Sequence, residues 1–430
     1  MTDCVAAPFD VVIVGDAVGL PHGMAATSRI RLYSRALAST GVSVRIMLTT
    51  VSDRLPNVLN WEPRGVVDGA PYEYTTGTPV RAGTFVGRRL AETRGALVAV
   101  GRLASLRRSG RRIAVLAYMG TSRCGLRYLV LTACARVLRI PVVIELCEAP
   151  WTLMADRRPW ERILSPLAFT SGAVTISSFL TKWANTEYRS RNAVAIATEV
   201  PILVDVDEVR PGPPRSHSAR TALYAVSSGY DESLAFVLES MRHVWAKEPR
   251  CRLVVTGMEP DRLDRHLSEG VFPSSQAAMV IGVGRVSRDA LLRLYAEASV
   301  CLAPLFDDQR SQARFPTKIA EYAAAGRPVV TSSVGEVRRY FEDRSTAFIA
   351  EPGDATAFGA KIVEALSDPH LAAAVGVRAR DLAETFFDYR VHAIRLHEAL
   401  ARAFVHERRT RAPASQRHPS SARCSTRRTS

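Results

Sequence analysis

The sequence contains no C-x-x-C pair, and its cysteines are seven, Cys4, Cys124, Cys134, Cys147, Cys251, Cys301 and Cys424. An odd number without metal-ligand spacing argues against a disulfide framework or a zinc site and for a reducing compartment. No run of about 18 uncharged apolar residues occurs, so no membrane span is expected. The nearest candidate, Tyr128 to Leu138, is broken by Arg136. Asp3 stands where a secretory leader would be basic, so no leader is expected. The first glycine-containing turn lacks G-x-G-x-x-G, which argues against a dinucleotide-dependent oxidoreductase.

What is present is ample apolar material. The 430 residues are 47% hydrophobic and 23% charged, the composition of a soluble chain with two or three domains. The net charge of +15 is unevenly placed. The last 23 residues, from Arg408, hold seven arginines and no acid, so they carry +7 and the rest +8. That Ser-, Pro- and Arg-rich tail has too little apolar surface to fold and is expected to be disordered.

Short apolar runs alternate with helical patterns along the chain. Strands are expected at Val11–Val14, Val44–Leu48, Ile113–Tyr118, Val142–Leu146, Ala173–Ile176 and Ala193–Ile196. A second series falls at Ala222–Val226, Arg252–Thr256, Met279–Ile281, Val300–Leu302 and Val329–Thr331. Continuous apolar strands separated by helices indicate parallel sheets covered on both faces. Between the two series, Asp207 to Arg220 has three prolines and little apolar content, which is a linker composition. Tyr389 to Val405 reads as a last amphipathic helix.

Two segments carry chemistry. The turn Gly15 to Gly23 follows the first strand, and Gly19 and Gly23 would let its backbone approach an anion or a sugar. An ordinary glycine-rich turn is the equal alternative. The second segment runs from Arg314 to Val330. Pro316 opens a helix at its first turn, and the amides of Thr317 and Lys318 can hold a diphosphate. Glu321 lies one turn beyond Lys318 and can accept from a ribose diol. Taken singly, Lys318 and Glu321 are more commonly a solvated surface pair. Gly326 is expected to end the helix.

The string PTKIAEYAAAGRPVVTSSVGEV from Pro316 resembles the donor-site segment of family 4 glycosyltransferases, also called group 1. The likeness continues in EPGDATAFGAKIVEAL from Glu351, IGVGRVSRDALLRLYAEASVCLAPL from Ile281 and RCRLVVTG from Arg250. In the first half, the segment Gly19 to Met47, VTISSFLTKWA from Val174 and VPILVDVDEV from Val200 are similar to family counterparts. The resemblance implies a GT-B fold, α/β, with two Rossmann-like doubly wound domains facing a central cleft. Residues 1–206 would form the acceptor domain, 207–220 the linker and 221–385 the nucleotide-sugar domain. Residues 386–407 would return to the first domain, and 408–430 form the basic tail. It also implies a retaining, metal-independent transfer of sugar from a nucleotide-diphosphate sugar, with a UDP- or GDP-sugar as donor and no cofactor. The acceptor would be a glycan or lipid-linked sugar in bacterial polysaccharide or glycolipid synthesis. Glu148, Lys318 and Glu321 are the expected catalytic set. Gly19, Gly23, Arg285, Val286, Arg314, Pro316 and Thr317 join Lys318 and Glu321 around the donor.

Three departures from the family pattern stand out. Arg314 occupies the place of the first glutamate, seven residues before Glu321. The stretch Tyr224 to Glu232 lacks the arginine and lysine that usually meet the diphosphate. Cys147 or Glu148 stands where a histidine is usual. These departures keep open a second class, a weakly active or inactive GT-B partner subunit that binds a glycan or another glycosyltransferase. Finally, Arg81 to Arg112 holds nine arginines and one acid, Glu92, with apolar residues at helical spacing. Such a helix either lies on an anionic membrane at the inner face of the cell membrane, or packs its apolar face on the sheet with solvated arginines. Base-stacking aromatics do not alternate with these arginines, Phe85 being the one aromatic in the segment, so nucleic acid is not an expected partner.

Overall fold

The structure is a computed structural model that describes residues 8–118, 125–150, 153, 165–191, 195–212, 220–226, 230–270 and 272–409. Cys4, Cys124, Cys424, half of the proline-rich linker and the basic tail from residue 410 lie outside the described residues.

The first half alternates β1 (Asp10–Gly15), α1 (Ala25–Ser39), β2 (Val44–Leu48), β3 (Arg64–Val67), β4 (Ala70–Tyr74), α2 (Phe85–Arg108), β5 (Ile113–Tyr118) and α3 (Gly125–Val137). It continues with β6 (Val142–Leu146), β7 (Gly172–Thr175), α4 (Ser178–Ser190) and β8 (Ala197–Glu199). The second half begins with β9 (Thr221–Ala225), α5 (Asp231–Lys247), β10 (Arg252–Thr256), α6 (Pro260–Glu269), α7 (Ser274–Ala277), β11 (Val280–Gly284), α8 (Arg288–Glu297) and β12 (Val300–Ala303). It ends with α9 (Gln309–Ala313), α10 (Thr317–Ala324), β13 (Val329–Ser332), α11 (Val337–Tyr340), β14 (Phe348–Ala350), α12 (Ala355–Ser367), α13 (Pro369–Phe386) and α14 (Ala393–Arg409).

The strands form two separate sheets. The first has the order β3-β4-β2-β1-β5-β6-β7-β8, parallel except for the edge strand β3. The second, β11-β10-β9-β12-β13-β14, is wholly parallel. Its first strand in sequence lies in the middle, with later strands added outward on both sides. That doubly wound order opens a crevice at the carboxyl ends of β9 and β12, where the direction of winding reverses. The first sheet has the matching switch between β1 and β5.

Several expectations shift. The hairpin β3–β4 lay outside the expected strands. The strand expected at Ala193–Ile196 is Ala197–Glu199, and that at Met279–Ile281 runs Val280–Gly284. Tyr389 to His392 is one 3-10 turn, with the helix proper starting at Ala393. Pro316 is the N-cap rather than a residue of the first helical turn, and Thr317 is the first helical residue. Gly326 takes φ +66°, its amide donating to Ala323 and that of Arg327 to Tyr322. This is the left-handed stop that the sequence indicates.

The two halves are joined where the chain crosses between them twice. The amide of Val204 donates to Phe387 at 2.8 Å and that of Tyr389 to Val204 at 3.1 Å. Arg380 of α13 donates to the carbonyls of Val206 and Val209, at 2.9 and 2.6 Å, and to that of Ala324. Helix α14 packs on α1 and on strands of the first sheet. One apolar cluster includes Val12 and Val115 of the first sheet, Leu223 and Cys301 of the second, and Phe387 at the crossing.

Candidate functional site

The site is built where the carboxyl ends of the two sheets meet. Helix α10 is buried on nearly every side, with Ile319 through Ala324 all buried. Its first turn points Lys318 back across the switch point. Lys318 Nζ donates to the carbonyl of Ala225, the last residue of β9, at 3.0 Å. The ammonium also sits 4.5 Å from the centre of the Tyr224 ring. Burial pushes the Lys318 pKa down to about 7, and the adjacent Arg314 guanidinium adds to the fall. Among the described residues no carboxylate forms an ion pair with Lys318.

Arg314 and Arg310 share this environment. Both guanidinium groups lie against the Tyr230 ring, at 4.9 and 5.2 Å from its centre. Arg314 Nη1 donates to Tyr230 Oη at 2.8 Å, while its Nε is buried without a partner. Three basic groups are thus gathered at the carboxyl end of a parallel sheet, and among the described residues none is in ion-pair contact with a carboxylate. For the partly buried Arg314 and Lys318 such an arrangement is costly unless an anion completes it. Arg310 and Tyr230 were not singled out by sequence. Tyr230 sits in the very stretch that lacks basic residues, so the arginines after β12 bring charge to a place that the β9–α5 connection leaves neutral.

Glu321 does not pair with Lys318, and it is not on a solvated surface: it is buried. Its Oε1 accepts from Arg288 Nη1 at 2.5 Å and its Oε2 from Tyr295 Oη at 2.9 Å. Arg288 also reaches Glu208 at 3.2 Å. Burial works against the Arg288 charge, but Glu321 and Glu208 outweigh it and raise the pKa. Arg288 is a third residue that sequence reasoning missed. The nearby Arg285, chosen instead, is exposed and lies 3.9 Å from Glu259. Val286 is half-buried in the same connection. Thr317, half-buried, opens α10, whose first turn has no side-chain cap. Asp308 is accounted for as the cap of α9, accepting from the Ser311 amide at 2.5 Å.

On the first domain, Glu148 follows β6 and faces the second. Burial raises its carboxyl pKa, against the opposing pull of Arg314 and Arg310 across the cleft. The turn Gly15 to Gly23 is folded on itself. A Cβ at Gly19 would stand 2.7 Å from the His22 carbonyl, and one at Gly23 only 1.9 Å from Thr27 Oγ1. These glycines are therefore required by the turn's own packing. Asn60 clamps the turn, accepting from the His22 amide and donating to its carbonyl, both at 2.9 Å.

The domains also touch directly. Ser177 Oγ donates to the Ala313 carbonyl at 2.7 Å. Glu336 Oε1 accepts from both the amide and the hydroxyl of Ser178, each at 2.7 Å, so a carboxylate of one domain caps a helix of the other. Glu336→Ala is expected to cost about 1 kcal/mol and to loosen the closed arrangement. A larger radius of gyration in small-angle scattering would show it; an unchanged radius would count against an interdomain role.

Two doubly wound domains joined by a double crossing, with the candidate site between their strand ends, constitute the GT-B fold. Residues 220–368 match the family described as Glycosyl transferases group 1. The fold is shared with sucrose-phosphate synthase from Thermosynechococcus elongatus, at TM-score 0.68 and 16% identity, over 92% of this chain and 99% of that one. It is also shared with Anabaena HepE in complex with UDP-glucose, at TM-score 0.62 and 14% identity, over 91% and 99%. A trehalose-6-phosphate synthase aligns at TM-score 0.65 and 10% identity, over 91% and 98%. Comparison with curated protein sequences returns no match.

Proposed function

We propose that the protein is a glycosyltransferase that moves a hexose or similar sugar from a nucleoside-diphosphate sugar to a glycan or lipid-linked acceptor. The observation that carries this reading is the cationic floor of Lys318, Arg314 and Arg310 beside the buried carboxylate Glu321, at the switch point of the second sheet. The diphosphate lies on the three cations and the first-turn amides of α10, which stabilise charge on the leaving group. The ribose diol donates to Glu321. Glu148 faces the sugar from the first domain. The acceptor enters over the Gly15–Gly23 turn. UDP-glucose in the HepE complex favours a UDP-sugar as donor. Retention of configuration, independence from metal and a place in bacterial surface-glycan or glycolipid synthesis at the inner face of the cell membrane complete the proposal.

The test is thermal unfolding with UDP, GDP, ADP and dTDP at millimolar concentration, followed by sugar transfer with the matching donors. Selective binding to the native state raises the melting temperature, by the equivalent of about 2.7 kcal/mol at a hundredfold excess over Kd. A rise with one base identifies the donor. No rise with any of them overturns the reading and favours a partner subunit without donor.

A further inference from the structure

Helix α2 is open to two readings, a face on an anionic membrane or an apolar face packed on the sheet, and its burial bears on both. Its buried residues are only Gly95, Ala99 and Leu103. A Cβ at Gly95 would stand 2.4 Å from the Thr49 carbonyl, so the helix rests on backbone through a narrow stripe of mostly small residues. Val86, Leu90 and Leu97 lie on the opposite face by helical periodicity, and each is more than half exposed. Leu103 and Leu106 pack inward, while half of the large apolar side chains of this helix, Phe85, Val86, Leu90 and Leu97, are thus exposed.

They are not alone. Eight of the eighteen exposed large apolar side chains among the described residues fall between Leu55 and Leu97, a tenth of the chain. The other four are Leu55, Leu59, Trp61 and Val66. Backbone bonds bring their segments together: the Ser52 and Asp53 amides donate to Pro79, and that of Arg81 to Asp53. Arginines surround the apolar residues, with Arg88 and Arg89 against the Phe85 ring. Between α2 and the β3–β4 hairpin a pocket of about 340 Å³ opens, lined by Arg64, Glu73, Tyr74, Gly77, Arg94 and Arg102. Arg64 and Arg102 share one oxygen of Glu73, at 2.7 and 3.1 Å. Among the described residues Arg94 has no carboxylate partner. The pocket therefore has an excess of positive charge.

We propose that this edge of the first domain docks on an anionic phospholipid bilayer, with Val86, Leu90, Leu97 and Trp61 entering the interface and the Arg64–Arg94–Arg102 pocket taking a lipid phosphate. Apolar residues ringed by arginine fit a surface that is negative outside and apolar beneath. Asn60 ties the docking loop to the turn at His22, so the bilayer lies beside the wall of the cleft. This deepens the transferase reading and, in making the acceptor a lipid-linked one, rests on it.

The test is flotation of the full chain with vesicles of 30% phosphatidylglycerol in phosphatidylcholine and with phosphatidylcholine alone, with UDP-dependent thermal shifts read in parallel. The expected result is binding to the anionic vesicles only. The double variant Leu90→Ser with Leu97→Ser is expected to weaken it about tenfold. Arg94→Ser with Arg102→Ser is expected to weaken it similarly, and neither pair is expected to change the UDP shift. Glycerol phosphate that competes in solution but leaves flotation intact would overturn the pocket's assignment to lipid. Flotation equal in both variants and the parent overturns the docking surface, as does a dimer that the leucine variant converts to monomer. A UDP shift without vesicle binding overturns docking alone, whereas vesicle binding without a shift from any nucleotide overturns the donor reading and leaves docking standing.

Discussion

Lys318→Met abolishes nucleoside-diphosphate binding yet leaves the empty protein at least as stable as its parent near pH 6. The reason is the place of the ammonium. Lys318 is half-buried, its ammonium desolvated beside Arg314, and its pKa falls from 10.5 to about 7. The unfolded chain keeps this proton up to roughly pH 10.4, whereas the native state releases it near 7, so the unfolded state binds more protons between those values. Stability therefore rises with pH across that window. Below it both states are protonated, and the native state bears the full cost of the buried charge, on the order of a few kcal/mol. Methionine fills a similar volume without the charge, so its advantage is largest below pH 7 and fades toward pH 10. A diphosphate reverses the balance, because an anion beside Lys318 draws the proton back. UDP affinity of the parent is expected to fall as pH rises from about 7 to 9, by at most about tenfold per unit. Calorimetric titration across pH checks both halves. Equal UDP affinity in the methionine variant would remove Lys318 from the diphosphate site. A variant much less stable than the parent near pH 6 would show that the ammonium is satisfied in the empty protein.

The same energetic tension explains what the sequence disclosed. The alternation of buried strands and helices was legible because parallel strands covered on both faces, such as Val11–Val14 and Val300–Ala303, leave no polar positions. The hairpin β3–β4 was not, because its residues Arg64, Val66 and Glu73 mix with Pro71 in a pattern that reads as loop. Lys318 and Glu321 could be found because Pro316 and Gly326 frame a short helix around them. That Glu321 is buried and held by Arg288 and Tyr295, while Lys318 turns to the Ala225 carbonyl, was not legible: helical spacing says which residues share a face but not what covers it. Nothing in the sequence separates Arg288 from a solvated helix arginine, whereas the structure pairs it with Glu321 and Glu208. For the same reason the sequence left open where the apolar residues of α2 face, while the structure seats that helix on Gly95, Ala99 and Leu103 and leaves Val86, Leu90 and Leu97 exposed.

Glu321→Gln is expected to cost about ten- to hundredfold in UDP affinity, the equivalent of charge-assisted hydrogen bonds to a ribose diol. The carboxylate has about four acceptor sites. Arg288 and Tyr295 engage one oxygen each and leave a site on both for the 2′- and 3′-hydroxyls. Those two contacts aim the group before the nucleotide arrives, so little ordering is left for binding to cover. Glutamine retains the shape and one acceptor but loses the charge, and its amide faces Arg288 or Tyr295 as a competing donor. Some loss of stability, about 1–3 kcal/mol, accompanies the change. Affinity alone would therefore not separate a ribose contact from a merely structural role. The 2′-deoxy analogue of UDP does. The parent is expected to discriminate against it, and the glutamine variant to bind both nucleotides almost equally. If the variant still prefers the ribose form by the parent's ratio, Glu321 serves only to hold Arg288 and Tyr295, and the diol is bound elsewhere. Arg288→Met adds the complementary arm. It frees one oxygen of Glu321 but removes the group that aims it, so UDP affinity falls while the preference for ribose over deoxyribose survives.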